Sequence, residues 1–79
     1  MPKLKPIKVY KLIKIVRKLG FIEVRQEGSH KTFNHPDGRY TTISFHSGSD
    51  EINVSLLNDI IKNQLKISRE EFFKLLEDV

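Results

Sequence analysis

The chain has 79 residues, with 14 Lys or Arg against 10 Asp or Glu, and it contains no cysteine. This length suits one small domain, and the lack of cysteine excludes disulfides and thiolate metal sites. No apolar run approaches the roughly 20 residues of a membrane span, so we expect one domain over residues 1–79, located in the cytoplasm with no membrane association.

The positive charge is concentrated at the N-terminal end of the chain. Residues 1–20 hold seven Lys or Arg and no acidic residue, whereas residues 68–79 hold two basic and four acidic residues. A basic region of this kind favours a polyanionic partner, most commonly nucleic acid. A solvated lysine face would give the same composition, so charge alone leaves both interpretations open.

The first predicted helix starts near Pro6, which suits a first helical turn because its missing N–H is not needed there. Apolar residues then recur at helical spacing as far as Gly20, a residue that favours a C-terminal cap. Basic residues fall together on another side of this helix. The apolar stripe is Val9, Leu12, Ile13, Val16 and Leu19, and the basic side is Lys11, Lys14, Arg17 and Lys18.

Three strands are predicted in the middle of the chain, over residues 21–27, 30–34 and 40–45, because these stretches are rich in β-branched and aromatic residues. Gly28-Ser29 forms the first turn. The sequence His35-Pro36-Asp37-Gly38 forms the second, with proline and glycine where a type I turn favours them. Short connections of this kind predict an antiparallel meander.

Alternation within the strands predicts which side chains share a face. In the first strand, Ile22 and Val24 are expected on one side and Glu23 and Arg25 on the other. The natural core residues of the second and third strands are Phe33 and Ile43. His30 lies three residues from Phe33, and His46 lies three residues from Ile43, so each histidine is expected to face away from the core.

Two further helices are predicted near the C-terminal end. Residues 46–50 are expected to form a loop, after which Asn53 is a candidate N-cap for a helix over residues 54–64. Ser68 and Glu71 match a capping box at the start of a last helix over residues 69–77, and Ile67 with Phe72 matches a hydrophobic staple. The expected buried residues are Leu56, Leu57, Ile60 and Ile61 in the first of these helices and Phe72, Leu75 and Leu76 in the second.

The predicted element order defines an α+β fold. Helix, three antiparallel strands and helix place both main helices on one face of the sheet and leave the other face open, with a short C-terminal helix appended. This α-β-β-β-α arrangement is that of the double-stranded-RNA-binding domain, which recognises RNA by shape and backbone. Fold alone does not determine function.

The candidate chemistry lies in the first turn and the strand that follows it. An imidazole exchanges protons near neutral pH, so His30 can act as a general acid or base on a 2′-hydroxyl or a leaving oxygen during RNA cleavage. Lys31 and the turn amides of Gly28 and Ser29 can hold a phosphate. An exposed strand histidine without chemistry is the alternative, and His46 carries the same two interpretations. His35 is expected to have only a turn role.

A metal site is not expected. Three histidines accompany Asp37, Asp50 and Glu51, but their spacing matches no compact ligand motif, such as two histidines one helical turn apart. The sequence also contains no glycine-rich nucleotide loop and no Ser-His-Asp signature. We therefore predict no metal and no cofactor.

The combined pattern resembles that of the HicA-type mRNA interferase toxins, and the resemblance covers almost the whole chain. Each motif is short, but their order and spacing together are fairly specific. The matching residues are Leu19-Gly20-Phe21, Gly28-Ser29-His30, His35-Pro36-Asp37-Gly38-Arg39, Thr42-Ile43, His46, Glu51-Ile52, Leu57, Ile60 and Ile67-Ser68-Arg69-Glu70-Glu71-Phe72.

The resemblance implies a metal-independent endoribonuclease that cleaves mRNA and is neutralised by a HicB-type antitoxin. It implies a chain that is monomeric when free and hetero-oligomeric with the antitoxin. The family's catalytic histidine falls on His30 and its second histidine on His46. This chain departs from the family pattern at Ser44, where proline is common, and at Ser55-Leu56, where a Gly-Thr pair is usual.

Two other functions fit parts of the sequence. A non-catalytic RNA-binding module would use the same surface and would bind RNA in a salt-sensitive way without cleaving it. A DNA-binding or protein-interaction domain is the third candidate, although the chain lacks a helix-turn-helix arrangement. The basic helix side suits RNA, and it equally suits the acidic groups of an antitoxin.

Overall fold

A three-stranded antiparallel sheet forms one layer of the protein, and helices cover one of its faces. The computed structural model describes residues 3–47 and 50–79, so the predicted loop positions Gly48 and Ser49 lie outside the described residues. The predicted α+β class and α-β-β-β-α order are confirmed. The elements are β1 (Ile7–Lys8), α1 (Val9–Lys18), β2 (Ile22–Glu27), β3 (His30–Asn34), β4 (Tyr40–Ser44), β5 (Glu51–Ile52), α2 (Val54–Asp59), a π-helical segment (Ile60–Leu65) and α3 (Arg69–Glu77).

The main sheet has the strand order β2-β3-β4, and its register separates two faces. Phe33 and Ile43 are fully buried under the helices, as predicted. His30 pairs with Ser44 across β3 and β4, and both side chains alternate with the buried set. The face that carries His30 and Ser44 is therefore the open face of the sheet.

A β-bulge in β2 changes the predicted alternation. Glu23 pairs with Phe33, whereas Arg25 pairs with Thr32, so one residue of β2 has no partner between them. Because Phe33 and Thr32 point to opposite faces, Glu23 and Arg25 also lie on opposite faces, and their predicted placement on one side was wrong. The bulge is confined to β2 and leaves the parity of β3 unchanged.

The start of α1 differs from the prediction because a second, two-stranded sheet precedes it. Ile7 pairs with Ile52, and Lys8 pairs with Glu51, in an antiparallel arrangement. The N–H of Val9 then donates to the carbonyl of Asp50 at 2.8 Å. This pairing holds residues 7 and 8 extended, so Pro6 lies before a strand and not in the first helical turn.

The second main helix is interrupted. Asn53 caps it as predicted, with its side-chain oxygen accepting from the N–H of Leu56 at 2.8 Å. Leu56 itself is 45% exposed, so its predicted burial was wrong. After α2 the backbone continues as the π-helical segment, whose i→i+5 bonding brings Ile60 and Leu65 to the same buried face.

The last helix, α3, has the predicted bounds and the predicted cap. The Ser68 hydroxyl accepts from the N–H of Glu71 at 3.1 Å. Phe72 is buried, and Ile67 packs against the same core, in agreement with a hydrophobic staple. Leu75 and Leu76 pack against the core but are only partly buried, which is less than predicted.

Candidate active site

The hairpin between β2 and β3 brings the candidate residues to one end of the sheet. Its loop is only two residues long, and Gly28 has a φ of +58°, in the left-handed region. A two-residue loop with glycine first is typical of a type II′ turn, whose twist matches that of the flanking strands. The tight turn fixes the register so that Glu27 pairs directly with His30.

His30 is exposed on the open face, between two polar neighbours on adjacent strands. Glu27 of β2 lies on one side and Ser44 of β4 on the other. Among the described residues, no hydrogen bond engages the His30 ring. The His30 side chain is therefore accessible to a substrate on this face.

His46 reaches the same end of the sheet. Its Nε2 lies 3.2 Å from the hydroxyl oxygen of Ser44, the cross-strand neighbour of His30. The N–H of Phe45 donates to the carbonyl of Ser29 at 2.6 Å, which holds the end of β4 against the hairpin turn. Two imidazoles thus belong to one exposed face, with the Ser44 hydroxyl next to both.

Asp50 fixes the backbone at His46. One carboxylate oxygen accepts from the N–H of His46 at 2.8 Å and from the N–H of Ser47 at 3.0 Å. These bonds, with the Ser47 N–H contributing most, lower the pKa of the Asp50 carboxyl below its ordinary value of 3.8. The carboxylate is therefore ionised throughout the neutral range, and it holds the backbone that carries the second imidazole.

The structure separates Lys31 from His30. Lys31 pairs with Ile43 and so belongs to the face that the helices cover. Its ammonium lies 3.6 Å from Glu23 and 5.1 Å from the ring centroid of Phe45. Alternation within β3 therefore places the Lys31 side chain on the face opposite His30, contrary to the sequence-based expectation. Ser29 lies in the turn directly before His30.

The basic residues of α1 also lie in the other layer of the protein. This helix packs against the sheet face that carries Phe33, and Arg17 lies 5.8 Å from the Phe33 ring and 3.6 Å from Glu23. The other three basic residues have no carboxylate within 4.0 Å among the described residues. They are Lys11, which is partly buried, and Lys14 and Lys18, which are exposed.

His35 has a structural role at the opposite end of the sheet. Its Nε2 lies 3.1 Å from the carbonyl oxygen of Leu19, and its Nδ1 accepts from the N–H of Asp37 at 3.1 Å. Its ring packs edge-on against Phe21, with 5.0 Å between centroids. The carbonyl of His35 accepts from the N–H of Gly38 at 2.9 Å, which confirms the predicted turn.

Arg39 completes this opposite end. Its Nε donates to Asp37 at 2.7 Å, its Nη1 donates to the carbonyl of Leu65 at 2.6 Å, and its guanidinium lies over the Phe21 ring. The turn between β3 and β4 therefore binds the last carbonyls of both main helices, Leu19 through His35 and Leu65 through Arg39. These contacts assign His35 and Arg39 to the scaffold.

The described residues contain neither a candidate metal site nor a candidate membrane-spanning helix. No three His, Cys, Asp or Glu side chains gather in residues 3–47 and 50–79 as a metal ion would require. None of the helices in those residues combines the length and the apolar character that a membrane crossing needs.

Glu27 belongs to this site but was not predicted from the sequence. Ser44 was noted there only as a departure from a family pattern. Glu27 forms an ion pair with Arg25 at 3.1 Å on the open face. The signal was present in the two-residue loop, because such a loop sets residues 27 and 30 opposite each other. The position of Ser44 opposite His30 can be predicted in the same way once the length of the β3–β4 turn is known.

The fold and the site define a class of protein: a small α+β domain of the double-stranded-RNA-binding type that presents an exposed histidine on its open sheet face. The family model described as "HicA toxin of bacterial toxin-antitoxin" matches residues 9–67. The chain therefore belongs to the HicA toxin family, and it is the toxin of a toxin-antitoxin system. No curated protein matches the chain at a significant level.

Proposed function

We propose that this toxin is an endoribonuclease that cleaves mRNA and that His30 is its catalytic residue. The supporting observation is that two imidazoles, His30 and His46, share one exposed face, which no helix of residues 3–47 and 50–79 covers. Membership of the HicA family supports RNA as the substrate. A non-catalytic RNA-binding module would not need an exposed imidazole at this position.

The proposed reaction needs two proton transfers. The 2′-oxygen of one nucleotide attacks the adjacent phosphorus, the P–O2′ bond forms and the P–O5′ bond breaks, which yields a 2′,3′-cyclic phosphate and a 5′-hydroxyl. One imidazole accepts the 2′-hydroxyl proton, and a protonated imidazole donates a proton to the leaving 5′-oxygen. We assign one role to His30 and the other to His46, since both lie next to the Ser44 hydroxyl.

The scaffold supports this reaction by fixing positions. The two-residue turn holds His30 opposite Glu27, and Asp50 holds the backbone of His46. Holding catalytic groups in place lowers the entropic part of the barrier. The cations of α1 lie in the other layer, so we assign them a long-range attraction for the RNA backbone, which added salt would weaken.

The partner is proposed to be a HicB-type antitoxin. Lys14 and Lys18 are exposed on α1 without a carboxylate neighbour among the described residues, and such a surface suits an acidic protein. An antitoxin that covers the open face as well would exclude RNA from His30. Co-expression with the product of an adjacent antitoxin gene should then restore the growth of cells that produce this toxin.

The decisive experiment compares RNA cleavage by the unsubstituted protein and by His30→Ala, each purified and each assayed with a chelator present. We expect the substitution to lower cleavage by about 10²–10⁴-fold, the usual contribution of a general acid or base. The melting temperature should stay nearly unchanged because His30 is exposed. Undiminished cleavage by a folded His30→Ala protein would remove His30 from the mechanism.

A second arm separates catalysis from binding. RNA with a 2′-deoxynucleotide at the cut lacks the attacking oxygen, so the unsubstituted protein should leave that bond intact. Salt-sensitive binding combined with intact unmodified RNA would instead favour the non-catalytic RNA-binding module.

A further inference from the structure

A second feature lies at the β4 edge of the sheet, at the end of β4 that is away from His46. A cavity of about 400 Å³ opens between the β3–β4 turn and the π-helical segment, and Tyr40, Thr42, Asn63, Gln64 and Lys66 line it. This volume is within the range of small-ligand pockets. Nothing in the proposed cleavage chemistry uses these residues.

Tyr40 is the aromatic residue among those that line this cavity. It is 67% exposed, which is unusual for a large aromatic residue, since these often bury their rings in a core or an interface. It pairs with Asn34, which in turn pairs with Ile22, so the three side chains form one row across the open face. Ile22 is 62% exposed as well. The row therefore presents an exposed aromatic side chain and an exposed apolar one, with the polar Asn34 between them.

The polar lining of the cavity is largely fixed in place. Gln64 accepts a hydrogen bond from the hydroxyl of the buried Thr41 and donates to Asp59 at 3.3 Å. Asn63 donates to Asp59 at 2.6 Å, and its amide oxygen has no partner among the described residues. The amide oxygen of Asn63 can therefore accept a hydrogen bond from a ligand in the cavity that the Tyr40 ring also lines.

The charge of the cavity favours an anionic ligand. Among the described residues that line it, two are basic and none is acidic. The guanidinium of Arg39 is already bound to Asp37 and to the carbonyl of Leu65. Lys66 is different, because its ammonium has no carboxylate within 4.0 Å in the described part of the chain.

We propose that Tyr40 and this cavity form a nucleobase-binding site, which takes one base of the single-stranded RNA whose backbone passes His30. A base stacks on an aromatic face and presents hydrogen-bonding edges, and its adjacent phosphate suits a lysine. The ring of Tyr40, the amide oxygen of Asn63 and the ammonium of Lys66 supply these three contacts. This inference rests on the proposed function.

The site is separate from the scissile bond. Tyr40 and Ser44 are four residues apart on β4, a separation of about 13 Å along a strand. Since Ser44 lies opposite His30, the bound base belongs to a nucleotide at a short, fixed distance from the cut. Such a contact would select where along an RNA the protein cleaves.

The test measures the affinity of a labelled single-stranded RNA by fluorescence anisotropy in the His30→Ala background. We expect Tyr40→Ala to weaken binding by about 5- to 150-fold, which corresponds to the roughly 1–3 kcal/mol of one stacked base. Tyr40→Phe keeps the ring and should retain the affinity. Leu56→Ala is the matched control, because it removes an exposed apolar side chain from α2 and should not affect binding.

An abasic scan of the RNA locates the base. With Tyr40 present, loss of the base at one position should weaken binding, and in Tyr40→Ala the same loss should have no further effect. Additive losses, or equal weakening by Tyr40→Phe and Tyr40→Ala, would overturn the assignment. So would a Tyr40→Ala protein that binds RNA normally but binds its antitoxin weakly, because the surface would then be a protein interface.

The two proposals fail in different ways. RNA left intact by the unsubstituted protein refutes the proposed cleavage, while the binding cycle with Tyr40 still reports a stacked base. Cleavage by the unsubstituted protein together with additive binding losses refutes only the Tyr40 site. A protein that binds no RNA refutes both.

Discussion

The two ends of the central sheet each carry a histidine near a tight turn, and they use it in opposite ways. At one end, the ring of His35 contacts the Leu19 carbonyl, the Asp37 N–H and the Phe21 ring. At the other end, His30 is exposed, and its ring has no hydrogen bond to any described residue. Strand alternation predicted the placement of His30, and the turn motif predicted a turn role for His35, but the contacts of the His35 ring with Leu19 and Phe21 come from the tertiary structure.

The difference shows what makes a histidine available for chemistry. A ring whose two nitrogens are engaged by backbone groups is part of the scaffold, and its removal leaves a carbonyl or an N–H without a partner. A ring that faces solvent on a rigid strand can meet a substrate without losing internal contacts. His35, a ring of the first kind, lies where the β3–β4 turn contacts the ends of two helices. His30, a ring of the second kind, lies on the uncovered face.

The largest effect on stability should come from His35→Ala. The substitution removes two hydrogen bonds and an edge-on aromatic contact, so we expect it to lower the free energy of unfolding by about 2–3 kcal/mol. For a domain of this size the melting temperature should fall by roughly 10–20 °C. Thermal unfolding followed by circular dichroism measures the change.

His30→Ala is the matched control for that experiment. It should change stability by less than about 0.5 kcal/mol, as surface substitutions usually do. Below its melting temperature, His35→Ala should cleave RNA as fast as the unsubstituted protein. If the two substitutions destabilised the protein equally, or if His35→Ala lost activity while folded, the contrast between the two ends would be wrong.

Two glycines offer a smaller test of the same contrast. Gly20 has a φ of +100°, and a Cβ added there would lie 3.2 Å from Nε2 of His35, whereas a Cβ at Gly28 would meet no atom within 4 Å. Gly28→Ala should therefore cost about 1 kcal/mol, from its left-handed backbone alone. Gly20→Ala should cost about 2 kcal/mol, since the anchored ring cannot move away.

Denaturation with urea measures both glycine variants. Gly28→Asn serves as the control, because asparagine tolerates the left-handed region better than alanine, and it should recover part of the loss. A larger loss at Gly28 than at Gly20 would show that the hairpin end, and not the His35 end, is the tightly packed one.

Local signals in the sequence predicted the parts of the fold that local contacts determine. Ser68 and Glu71 marked the start of α3, and Phe33 marked the face that His30 avoids. The sequence did not indicate β1 and β5, because two-residue strands exist only through their pairing with each other. The bulge in β2 and the π-helical segment also depend on the packing partners that surround them.

The candidate site was partly predictable for the same reason. Alternation from Phe33 placed His30 on the open face, and the two-residue turn was sufficient to place Glu27 beside it. The Tyr40 cavity was not predictable, because it depends on where Asn63 and Lys66 lie in the π-helical segment and just after it. Lys31 shows that neighbours in sequence need not share a site, since it follows His30 directly but faces the opposite side of the sheet.

The smallest predicted effect is the change in stability with pH that comes from two carboxylates, Asp37 at one end of the sheet and Asp50 at the other. The pKa of Asp37 lies below its ordinary value of 3.8, chiefly because its carboxylate accepts from the backbone N–H of Arg39, and the pKa of Asp50 is lowered chiefly by the N–H of Ser47. A lowered pKa means that each carboxylate stabilises the fold above its ordinary pKa. That stabilisation is lost as the pH falls through the lowered value.

The unfolding free energy, measured from neutral pH down to acidic pH, should therefore decline at the acid end, and Asp37→Asn and Asp50→Asn should each flatten that decline. Asp37 is exposed and Asp50 is only partly buried, so the changes should be small. The two variants should differ in activity, because only Asp50 holds the backbone of His46. We expect Asp50→Asn to slow RNA cleavage at neutral pH and Asp37→Asn to leave it unchanged. Equal cleavage by both would show that the position of His46 does not matter to the reaction.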